Sequence, residues 1–555
     1  MPFKLPFITR GHRGGMDFRE TDVDISPLWL VVYLSIVCIF FVVMILRLFQ
    51  LTVVKGEYYR GLAENNRIRE ILVEPERGTL VDRKGVVLAQ NFSADLHSDG
   101  TRLVSKRMYE DVAPLAHIIG YRQIGDTRDL EQDPCTNKMR AGDKVGKKGI
   151  EKIYECDLRG TAGKKLVEVD STGKVIRTIN VAPPVSGKTL HLAVDSELQK
   201  KAFEQIKGKK AVVVGLKPDT GEVLILASAP SFDPQDFEDG QADIGHYFTD
   251  KDKPLFNRAV EGTYPPGSVF KMVLAVGALE EKKIDETTII QDNGFLKAGP
   301  LEFGNWYYLQ YGKTEGHVDI VKAIRRSNDI FFYTVGNKLT PEGIKRWAEK
   351  FGYGNKSGIG LNEAEGTIPS PFWKEETLKE QWYLGDTYNM SIGQGYILTT
   401  PLQVAVSTAA LANNGSLCTP QLLKISSGDG VVSQCKKLPV SAKTLSLVKE
   451  GMIGACSTGG TGWPFFDFGI GEKTASTSAS LSGKKQFQPI KVACKTGTAE
   501  AHADSKNPHA WFTVYAPAEK PEIVLTVLVE EAGQGSDIAA PIAKEILKSY
   551  FERKE

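Results

Sequence analysis

The sequence predicts an α/β (α+β) fold in which helices cover both faces of a sheet. Residues 211–216 and 222–228 are nearly continuous apolar runs, which is typical of strands buried on both faces. Residues 511–515 and 523–530 predict two further strands, and residues 540–551 predict a closing helix. Because helical stretches separate the two pairs of strands, we expect one domain whose sheet joins both ends of this region.

Composition narrows the class of protein. The chain of 555 residues is long enough for two to four domains, and its 69 Lys and Arg residues balance 68 Asp and Glu residues. A balanced charge creates no attractive field for polyanions, so we predict no nucleic-acid partner.

Seven cysteines bear on the compartment of the protein. Cys38 lies within an apolar segment, and the other six are Cys135, Cys156, Cys418, Cys435, Cys456 and Cys494. No Cys-x-x-Cys pair occurs, which argues against a zinc ribbon. An even number permits disulfides in an extracytoplasmic region, and nearest-neighbour pairing would join 135–156, 418–435 and 456–494. The sequence alone leaves the connectivity open, and buried free thiols are an equal alternative.

A membrane anchor is predicted near the N-terminus. Residues 28–46 carry no charge and, at about 1.5 Å per residue, are long enough to cross a bilayer. Trp29 and Tyr33 suit the membrane interface. The segment is too long for a signal-peptide core and no small-residue cleavage site follows it, so we predict an uncleaved anchor. Lys and Arg occur on both sides, which orients it only weakly, and a buried helix of a soluble protein is the alternative.

Residues 51–185 mix charged helical stretches with short strands. Residues 77–89 predict two strands joined by a turn at residues 82–85. Gly120 is expected to end a helix within residues 115–121, and residues 149–163 predict another helix and turn. No catalytic chemistry is evident here, so we interpret this region as a structural spacer.

Prolines and a glycine at residues 181–187 mark a boundary. Beyond it, residues 195–206 predict a helix. Residues 217–221, Lys-Pro-Asp-Thr-Gly, are a turn signal that joins the first two strands into a hairpin.

The segment at residues 263–271, Thr-Tyr-Pro-Pro-Gly-Ser-Val-Phe-Lys, predicts a tight turn that delivers Ser268 to the first turn of a helix. An apolar run continues to residue 280, as expected for a buried helix. Ser268 and Lys271 are three residues apart and share one helical face. A hydroxyl beside an amine in apolar surroundings is a candidate nucleophile. The alternative is a serine N-cap with Lys271 extending to solvent.

Two further segments carry polar groups at suggestive spacings. Ser327 and Asp329 place a hydroxyl and a carboxylate two residues apart, although a helix cap before an aromatic run is the alternative. Residues 491–500 predict a strand that ends in Lys-Thr-Gly-Thr at 495–498. A lysine and two hydroxyls on a strand edge, with glycine leaving room, can bind a carboxylate. An exposed strand end with a solvated lysine is the alternative.

The order of these three segments is more informative than any one of them. Ser-x-x-Lys, then Ser-x-Asp about 60 residues later, then Lys-Thr-Gly before the last strands, is the ordered signature of penicillin-binding proteins and β-lactamases. The chain resembles the class B penicillin-binding proteins, the membrane-anchored D,D-transpeptidases that cross-link peptidoglycan. Residues 77–85, 149–151 and 158–160 are similar to the pedestal motifs of that family, and residues 217–224 and 231–234 to the opening strands of its transpeptidase domain.

The resemblance implies a domain organisation. Residues 1–27 would be a cytoplasmic tail, 28–50 the transmembrane anchor, 51–185 an elongated pedestal, and 186–555 a transpeptidase domain of the penicillin-binding and serine β-lactamase type, with an antiparallel sheet flanked by helices. The catalytic domain would lie on the extracytoplasmic, periplasmic side. Implied partners are peptidoglycan stem peptides, β-lactams as covalent inhibitors, and a membrane glycosyltransferase of the shape, elongation, division and sporulation class. We expect no cofactor and no metal, and His317 is interpreted as a structural histidine.

The resemblance also implies roles for individual residues. Those implied as catalytic are Ser268, Lys271, Ser327, Asp329 and Lys495, and those implied as substrate-binding are Thr496, Gly497 and Thr498. Ser268 would attack the carbonyl between two D-alanines, and a neutral Lys271, its pKa lowered by burial and a nearby helix N-terminus, would take the proton. Ser327 would relay a proton to the leaving amine, with Asp329 and Lys495 holding the network. Backbone N–H groups of residues 268 and 498 would form an oxyanion hole.

One segment points to a subgroup, and three places depart from the family pattern. Residues 382–396 and 400–403 are similar to elongation-type enzymes of lateral wall synthesis, and Asp329 agrees, because division-type enzymes commonly have asparagine there. The pedestal is short between residues 91 and 115. Residues 463–488 form a polar insertion expected to be a surface loop. Cys494 stands where the family often has glycine, and a disulfide to Cys456 would brace the strand that carries Lys495.

Other functions remain open alongside elongation-type transfer. A division-type transpeptidase is one. A D,D-carboxypeptidase or β-lactamase-like hydrolase would need a base for deacylation, and no Glu-x-x-Leu-Asn-type element lies between residues 327 and 495, which favours transfer. A non-catalytic β-lactam sensor or scaffold would need signalling parts or would usually lose a motif, whereas all three motifs are intact.

Overall fold

The computed structural model describes residues 26–96, 102–170, 172–240, 243–425, 432–471, 487–501 and 505–553. The described elements up to residue 191 are α1 (Pro27–Phe49), a π-helical turn (Gln50–Val54), α2 (Gly56–Arg67), β1 (Ile68–Val73), β2 (Leu80–Val81), β3 (Val87–Leu96), β4 (Arg102–Tyr109), a 3-10 turn (Ala113–Leu115), α3 (Ala116–Ile119), β5 (Arg122–Ile124), α4 (Thr127–Glu131), β6 (Lys144–Gly146), α5 (Gly149–Ile153), α6 (Glu155–Arg159), β7 (Gly163–Val169), β8 (Val175–Ala182) and β9 (Leu190–His191).

The described elements that follow are α7 (Ser196–Ile206), β10 (Ala211–Leu216), β11 (Val223–Ala229), α8 (Pro234–Asp239), α9 (Gly245–Thr249), a 3-10 turn (Gly267–Phe270), α10 (Lys271–Glu280), β12 (Ile290–Asp292), β13 (Phe295–Ala298), β14 (Leu301–Gly304), α11 (Trp306–Tyr311), β15 (Gly316–Val318), α12 (Ile320–Arg326), α13 (Asp329–Leu339), α14 (Pro341–Lys350), α15 (Pro371–Leu378), α16 (Leu384–Ser391), α17 (Pro401–Ala412), β16 (Ser416–Cys418), β17 (Cys435–Lys437), α18 (Ala442–Ala455), a 3-10 turn (Trp463–Phe465), β18 (Gly469–Ile470), β19 (Gln488–Pro489), β20 (Ala493–Ala499), β21 (His509–Ala516), β22 (Ile523–Val529) and α19 (Ala539–Glu552).

The predicted anchor is a continuous helix. It spans Pro27–Val54 with a mean hydropathy of 2.9, and within the described ranges it is the one helix that is long and apolar enough to cross a membrane. Pro27 suits the first turn of a helix, where its missing N–H has no partner to lose. None of the residues of α1 is buried, so the alternative of a buried soluble helix is wrong. Residues 1–25 of the predicted tail lie outside the described residues.

The chain divides into two compact units. The first comprises the described residues of Met1–Glu74, Leu96–Val104 and Gly163–Pro183. In it, β7 pairs antiparallel with both β1 and β8, and Leu72 lies opposite Lys164. Surface ion pairs run along these strands, including Lys164 with Glu70 at 2.9 Å.

The second unit comprises the described residues of Pro75–Asp95, Ser105–Ala162 and Pro184–Glu555. The predicted hairpin near its start is confirmed, because β2 and β3 pair antiparallel around a turn closed by Asp82 N–H on the carbonyl of Val86. Gly120 ends α3 with a φ of 78°, and a Cβ there would lie 1.8 Å from the carbonyl oxygen of Lys148. Only glycine fits this close approach.

A buried ionic cluster holds the early part of the second unit together. Arg77 and Arg107 both contact the fully buried carboxylate of Glu151, at 2.5 and 2.9 Å. Burial alone would raise the pKa of Glu151, but the two guanidinium groups hold it at about 2. These ions are paired with one another and remote from the catalytic motifs in sequence, so we interpret them as structural.

The core of the second unit is a five-stranded sheet in the order β11-β10-β22-β21-β20, with every neighbouring pair antiparallel. Ala211 on β10 lies opposite both Ala229 and Val529, so the sheet joins the two ends of this region as predicted. Alternate side chains enter different cores: Val212 packs in the cluster that contains α10 and α17, and Val213 packs in the one that contains α7 and α19. All residues of β10 and β11 are buried, which explains their continuous apolar sequence.

All six cysteines outside the anchor are paired in the structure. The disulfides are Cys135–Cys156, Cys418–Cys435 and Cys456–Cys494. Nearest-neighbour pairing is therefore confirmed, and the alternative of free buried thiols is wrong for these residues.

The prediction of a surface loop over residues 463–488 is wrong for its first part. Phe465, Phe468 and Ile470 are buried, and the ring of Phe465 stacks on that of Phe512 at 5.1 Å. These apolar side chains belong to the core on the α19 side of the sheet, and that burial outweighs the polar composition around them. Residues 472–486 lie outside the described residues.

Candidate active site

The turn that carries Ser268 is a 3-10 turn immediately before α10. Gly267 has a φ of 57°, and its N–H donates to the carbonyl of Gly393 at 2.8 Å. A Cβ at residue 267 would lie 2.9 Å from the carbonyl oxygen of Thr498, so the glycine lets this turn approach β20 closely. Neither the turn nor α10 has a side-chain cap, so the interpretation of Ser268 as an N-cap is wrong. Ser268 is half-buried.

Lys271 is fully buried rather than extended to solvent. Its ammonium nitrogen donates to Asp329 Oδ1 at 2.6 Å, to the backbone carbonyl of Ser327 at 2.9 Å and to Ser327 Oγ at 3.3 Å. The ring of Phe332 lies 5.5 Å away. Burial lowers the pKa of Lys271, and the carboxylate of Asp329 opposes that shift. The predicted direction of the pKa is therefore confirmed.

Ser327 lies between two helices in a left-handed conformation, with a φ of 56° and a ψ of 36°. Non-glycine residues rarely adopt this region, and strained backbone of this kind concentrates at functional sites. The cap of α13 is Asn328, whose side chain accepts from Phe331 N–H, so the helix-cap alternative for Ser327 and Asp329 is wrong. The strained position leaves the Ser327 hydroxyl free to face the two lysines.

Lys495 lies on β20, the edge strand of the sheet, and is fully buried. Its nitrogen donates to Ser327 Oγ and to the carbonyl of Thr496, each at 2.8 Å. Burial and the positive charge of Lys271 lower its pKa well below the usual value, against a smaller opposing effect of Asp329. The alternative of a solvated lysine is wrong.

Three neighbours of Lys495 complete the strand edge. Thr496 is buried and donates to the hydroxyl of Thr461 at 2.8 Å, whereas Thr498 is exposed. A Cβ at Gly497 would lie 2.9 Å from the Cβ of Trp511 and 3.1 Å from Val269. Glycine is therefore required for β20 to lie against the turn of Ser268.

The arrangement can support proton transfer to and from one hydroxyl. The oxygen of Ser327 accepts from Lys495 and Lys271, which leaves its own O–H to donate to a bound molecule. One nearby carboxylate, Asp329, faces two buried amines, so the second ammonium has no compensation for its desolvation. The neutral form of one amine of the pair is therefore favoured, and that is the form able to act as a base.

The structure thus joins Lys271, Ser327, Asp329 and Lys495 in one hydrogen-bonded network. Ser268 lies on the turn before Lys271, and this turn lies against β20, the strand that carries the three predicted substrate-binding residues. The roles of these eight residues, and the oxyanion hole at residues 268 and 498, stay predictions. The sequence interpretation missed several supports: Asn305 accepts from Asp329 N–H at 3.1 Å, Trp306 N–H donates to Asp329 Oδ2 at 2.9 Å, and the side-chain amide of Gln394 donates to the carbonyl of Thr498 at 3.4 Å. Of these three residues, only Gln394 was indicated by the sequence, because the glycines on either side of it predict a close approach of the backbone.

Within the described residues, no group of three or more His, Cys, Asp or Glu side chains is placed to hold a metal ion. His317 is exposed on β15.

Comparisons with known proteins concern the family and the fold of the chain. Residues 211–548 match the family model of the penicillin binding protein transpeptidase domain, and residues 100–192 match that of the penicillin-binding protein dimerisation domain. The peptidoglycan D,D-transpeptidase MrdA of Haemophilus influenzae is 32% identical over 92% of this chain and 90% of its own.

Two solved structures are similar over most of the chain. One is Pseudomonas aeruginosa PBP2 in complex with WCK 5153, with a TM-score of 0.72, 30% identity, and coverage of 87% of this chain and 96% of the other. The second is a complex between the penicillin-binding protein PBP2 and MreC from Helicobacter pylori, with a TM-score of 0.72, 27% identity, and coverage of 87% and 99%.

Proposed function

This chain belongs to the penicillin-binding protein transpeptidases, and on that premise we propose that it is the elongation-type peptidoglycan D,D-transpeptidase of its cell. It is a serine acyltransferase that cross-links stem peptides during cell-wall synthesis and thereby maintains cell shape. The observation that carries the proposal is the buried Lys271–Ser327–Lys495 arrangement beside the turn of Ser268. If Ser327 were purely structural, two buried lysines would not need to donate to its hydroxyl oxygen.

Acylation begins at Ser268. Its Oγ attacks the carbonyl between the two terminal D-alanines of a stem peptide, and the hydroxyl proton passes to neutral Lys271. N–H groups of Ser268 and Thr498 hold the oxyanion. The substrate carboxylate lies against Thr496, Thr498 and Lys495, since hydroxyls and an ammonium bind a carboxylate with charge-assisted hydrogen bonds.

The substrate itself sets the protonation of the two lysines. A carboxylate beside Lys495 favours the ammonium form of that lysine, and repulsion between the two amines then favours neutral Lys271. Collapse of the tetrahedral intermediate breaks the C–N bond, and Ser327 passes a proton to the departing amine of D-alanine. The amine of a second stem peptide then attacks the ester of Ser268, which forms the cross-link and regenerates the hydroxyl.

The location follows from the anchor and the disulfides. The N-terminal helix fits a single-pass membrane anchor. Three disulfides support an oxidising compartment, so the second unit lies on the extracytoplasmic, periplasmic side. Residues 1–27, 28–50, 51–185 and 186–555 form the tail, anchor, pedestal and transpeptidase domain.

The enzyme works with membrane partners. The relative from Helicobacter pylori is seen in complex with MreC, which supports assembly of this chain with other wall-synthesis proteins. Cross-linking requires newly polymerised glycan, so we assign a membrane glycosyltransferase of the shape, elongation, division and sporulation class as the partner. β-Lactams are covalent inhibitors that acylate Ser268.

The experiment is acylation of the detergent-purified full chain by a fluorescent penicillin, with the adduct located by mass spectrometry. We expect label on Ser268 of the wild type and none on a Ser268→Ala variant that unfolds at the wild-type temperature. Covalent label on the alanine variant would contradict the assignment. Turnover of a chromogenic cephalosporin separates the outcomes after acylation, because a transpeptidase hydrolyses the adduct very slowly whereas a β-lactamase turns it over.

A further inference from the structure

A buried carboxylate lies behind the Ser327–Asp329 motif. Asp292, the last residue of β12, is 1% exposed. Its Oδ1 accepts from Gly294 N–H at 2.7 Å. Its Oδ2 accepts from the side-chain amides of Asn305 and Asn328, each at 2.8 Å, and from Glu315 N–H at 3.1 Å. Four neutral N–H donors therefore satisfy this carboxylate from four separate segments.

The orientation of both asparagine amides is fixed by their second contacts. Asn305 Oδ1 accepts from Asp329 N–H at 3.1 Å, and Asn328 Oδ1 accepts from Phe331 N–H at 2.8 Å. Each amide nitrogen must consequently face Asp292. A flip of either amide would place its NH2 against a backbone N–H donor and its oxygen against the carboxylate of Asp292.

These contacts lead directly to the reacting groups. Asn305 precedes Trp306, whose backbone N–H donates to Asp329 Oδ2 at 2.9 Å. The other oxygen of Asp329 accepts from Lys271 at 2.6 Å. Asn328 is the residue between Ser327 and Asp329, so its anchored side chain sets the strained backbone that presents the Ser327 hydroxyl.

We propose that Asp292 is a positioning residue for acylation: through Asn305 and Asn328 it fixes Asp329 against Lys271 and Ser327 between the two lysines. The proposal rests on the proposed function above. Asp292 touches neither substrate nor Ser268, and acts by holding the proton-transfer groups at their productive distances.

Asp292→Asn tests this because it changes one atom of a buried side chain. Asparagine presents its NH2 either to Gly294 N–H or to the three donors now on Oδ2, so a donor faces a donor in both orientations. In the first orientation the clash displaces residue 292 at Gly294, and the neutral oxygen holds the other three donors more weakly than a carboxylate does. In the second orientation the segment at residues 305–306 and the turn at residues 327–329 separate from residue 292. We expect the acylation step to slow between about tenfold and a hundredfold, the larger loss being what a displacement of about 1 Å can cause.

Two readouts distinguish positioning from a loss of folding. The loss is expected in the rate constant of acylation and not in penicillin affinity, because the carboxylate-binding residues lie on β20. The pH profile is expected to move as well. Lys271 faces Asp329 from α13 and Lys495 from β20, and Asp329 opposes the lowering of its pKa. If Asp329 moves away, the pKa of Lys271 falls further, so the acid limb of the rate profile shifts to lower pH.

Asp82→Asn is the matched control. Asp82 is also fully buried and accepts four hydrogen bonds, from Lys84 N–H, Val86 N–H, and the N–H and hydroxyl of Ser196. It lies outside the candidate active site. We expect Asp82→Asn to lower the unfolding temperature and to leave the acylation rate constant and the acid limb of the folded protein unchanged.

The experiment measures penicillin acylation from pH 5 to 9 on the full chain in detergent, with unfolding followed in parallel. A folded Asp292→Asn protein with the wild-type rate constant and acid limb would overturn the proposal, as would an equal change in Asp82→Asn. If Asp292→Asn does not fold, Asn305→Ala is measured instead, because it removes the hydrogen bond between residue 305 and Asp292. A wild-type rate constant and acid limb in Asn305→Ala would likewise overturn the proposal. A wild type that is not acylated at all would instead refute the proposed function.

Discussion

The disulfide between Cys456 and Cys494 should couple stability to acylation. Cys494 is fully buried on β20, one residue before Lys495, and Cys456 follows directly on α18. Among the strands that the structure describes, β20 is at the edge of its sheet and is hydrogen-bonded to β21 alone. The disulfide therefore gives β20 a second attachment, to the residue that follows α18, and its removal should loosen the position of the Lys495 amine.

The expected loss in the free energy of unfolding follows from the length of the loop that the disulfide closes. For a separation of 38 residues, loop-closure entropy gives about 4 kcal/mol at 25 °C, with measured values commonly lower. The Cys418–Cys435 disulfide has a separation of 17 residues, for which the same relation gives about 3 kcal/mol. The two double-alanine variants should thus lose similar stability, although only one disulfide adjoins a catalytic strand.

The assay pairs denaturant unfolding with the second-order rate of penicillin acylation for both variants. We expect comparable destabilisation of Cys456→Ala/Cys494→Ala and Cys418→Ala/Cys435→Ala. Acylation should fall several-fold only in the first, because a modest displacement of Lys495 weakens its hydrogen bond to Ser327. Equal acylation in the two variants would refute the argument that this disulfide braces the catalytic strand.

Three further predictions concern single residues. Trp511→Phe removes the indole N–H that donates to the carbonyl of Pro265 at 2.9 Å, and should slow acylation about fivefold, equivalent to about 1 kcal/mol for one hydrogen bond. Asp329→Asn removes the carboxylate paired with Lys271, so the maximal acylation rate should fall while the acid limb of its pH profile moves to lower pH. Burial lowers the pKa of His117 to about 3 from 6.5, so the unfolded chain takes up a proton first as pH falls. Stability is fully present above pH 6.5 and should decline by about 2 kcal/mol between pH 6.5 and 5, and His117→Gln should remove that decline.

Each of these predictions has a clear contrary result. An unchanged acylation rate in Trp511→Phe would mean that the turn of Ser268 is held without the indole. An acid limb that moves to higher pH in Asp329→Asn would mean that Lys271 is not the titrating base. A wild-type protein whose stability is constant from pH 6.5 to 5 would show that the ring of His117 takes up a proton in the folded state.

The strongly patterned parts of the fold could be predicted from sequence. The continuous apolar runs of β10, β11, β21 and β22 predict buried strands, and Lys-Pro-Asp-Thr-Gly predicts the hairpin, because these signals depend on local chemistry alone. The prediction of a surface loop over residues 463–488 was wrong for its first part because Phe465 and Phe468 pack against apolar residues that are distant in the sequence. A local composition does not report such partners.

The candidate site could likewise be predicted only in part from the sequence. Spacing and order found Ser268, Lys271 and Lys495, but the burial of both lysines depends on tertiary packing. At residues 327–329 three consecutive residue types favour a helix cap, and the sequence does not indicate which one is used. The structure selects Asn328 because Asp292 binds its amide, and Ser327 is consequently left in the left-handed region.

The pairing of β10 with β22 has a consequence for biosynthesis. β10 and β11 leave the ribosome early and can form a hairpin at once, but the other side of β10 has no partner until β22 has been made. Lys495 reaches its place only when β20 and β21 join that late strand. A chain synthesised only as far as α18 therefore carries the serine turn without its second lysine. Long-range pairing of this kind is slow and exposes an unpaired strand edge to aggregation, so an enzyme of this topology makes its greatest demand on folding assistance at the end of its synthesis.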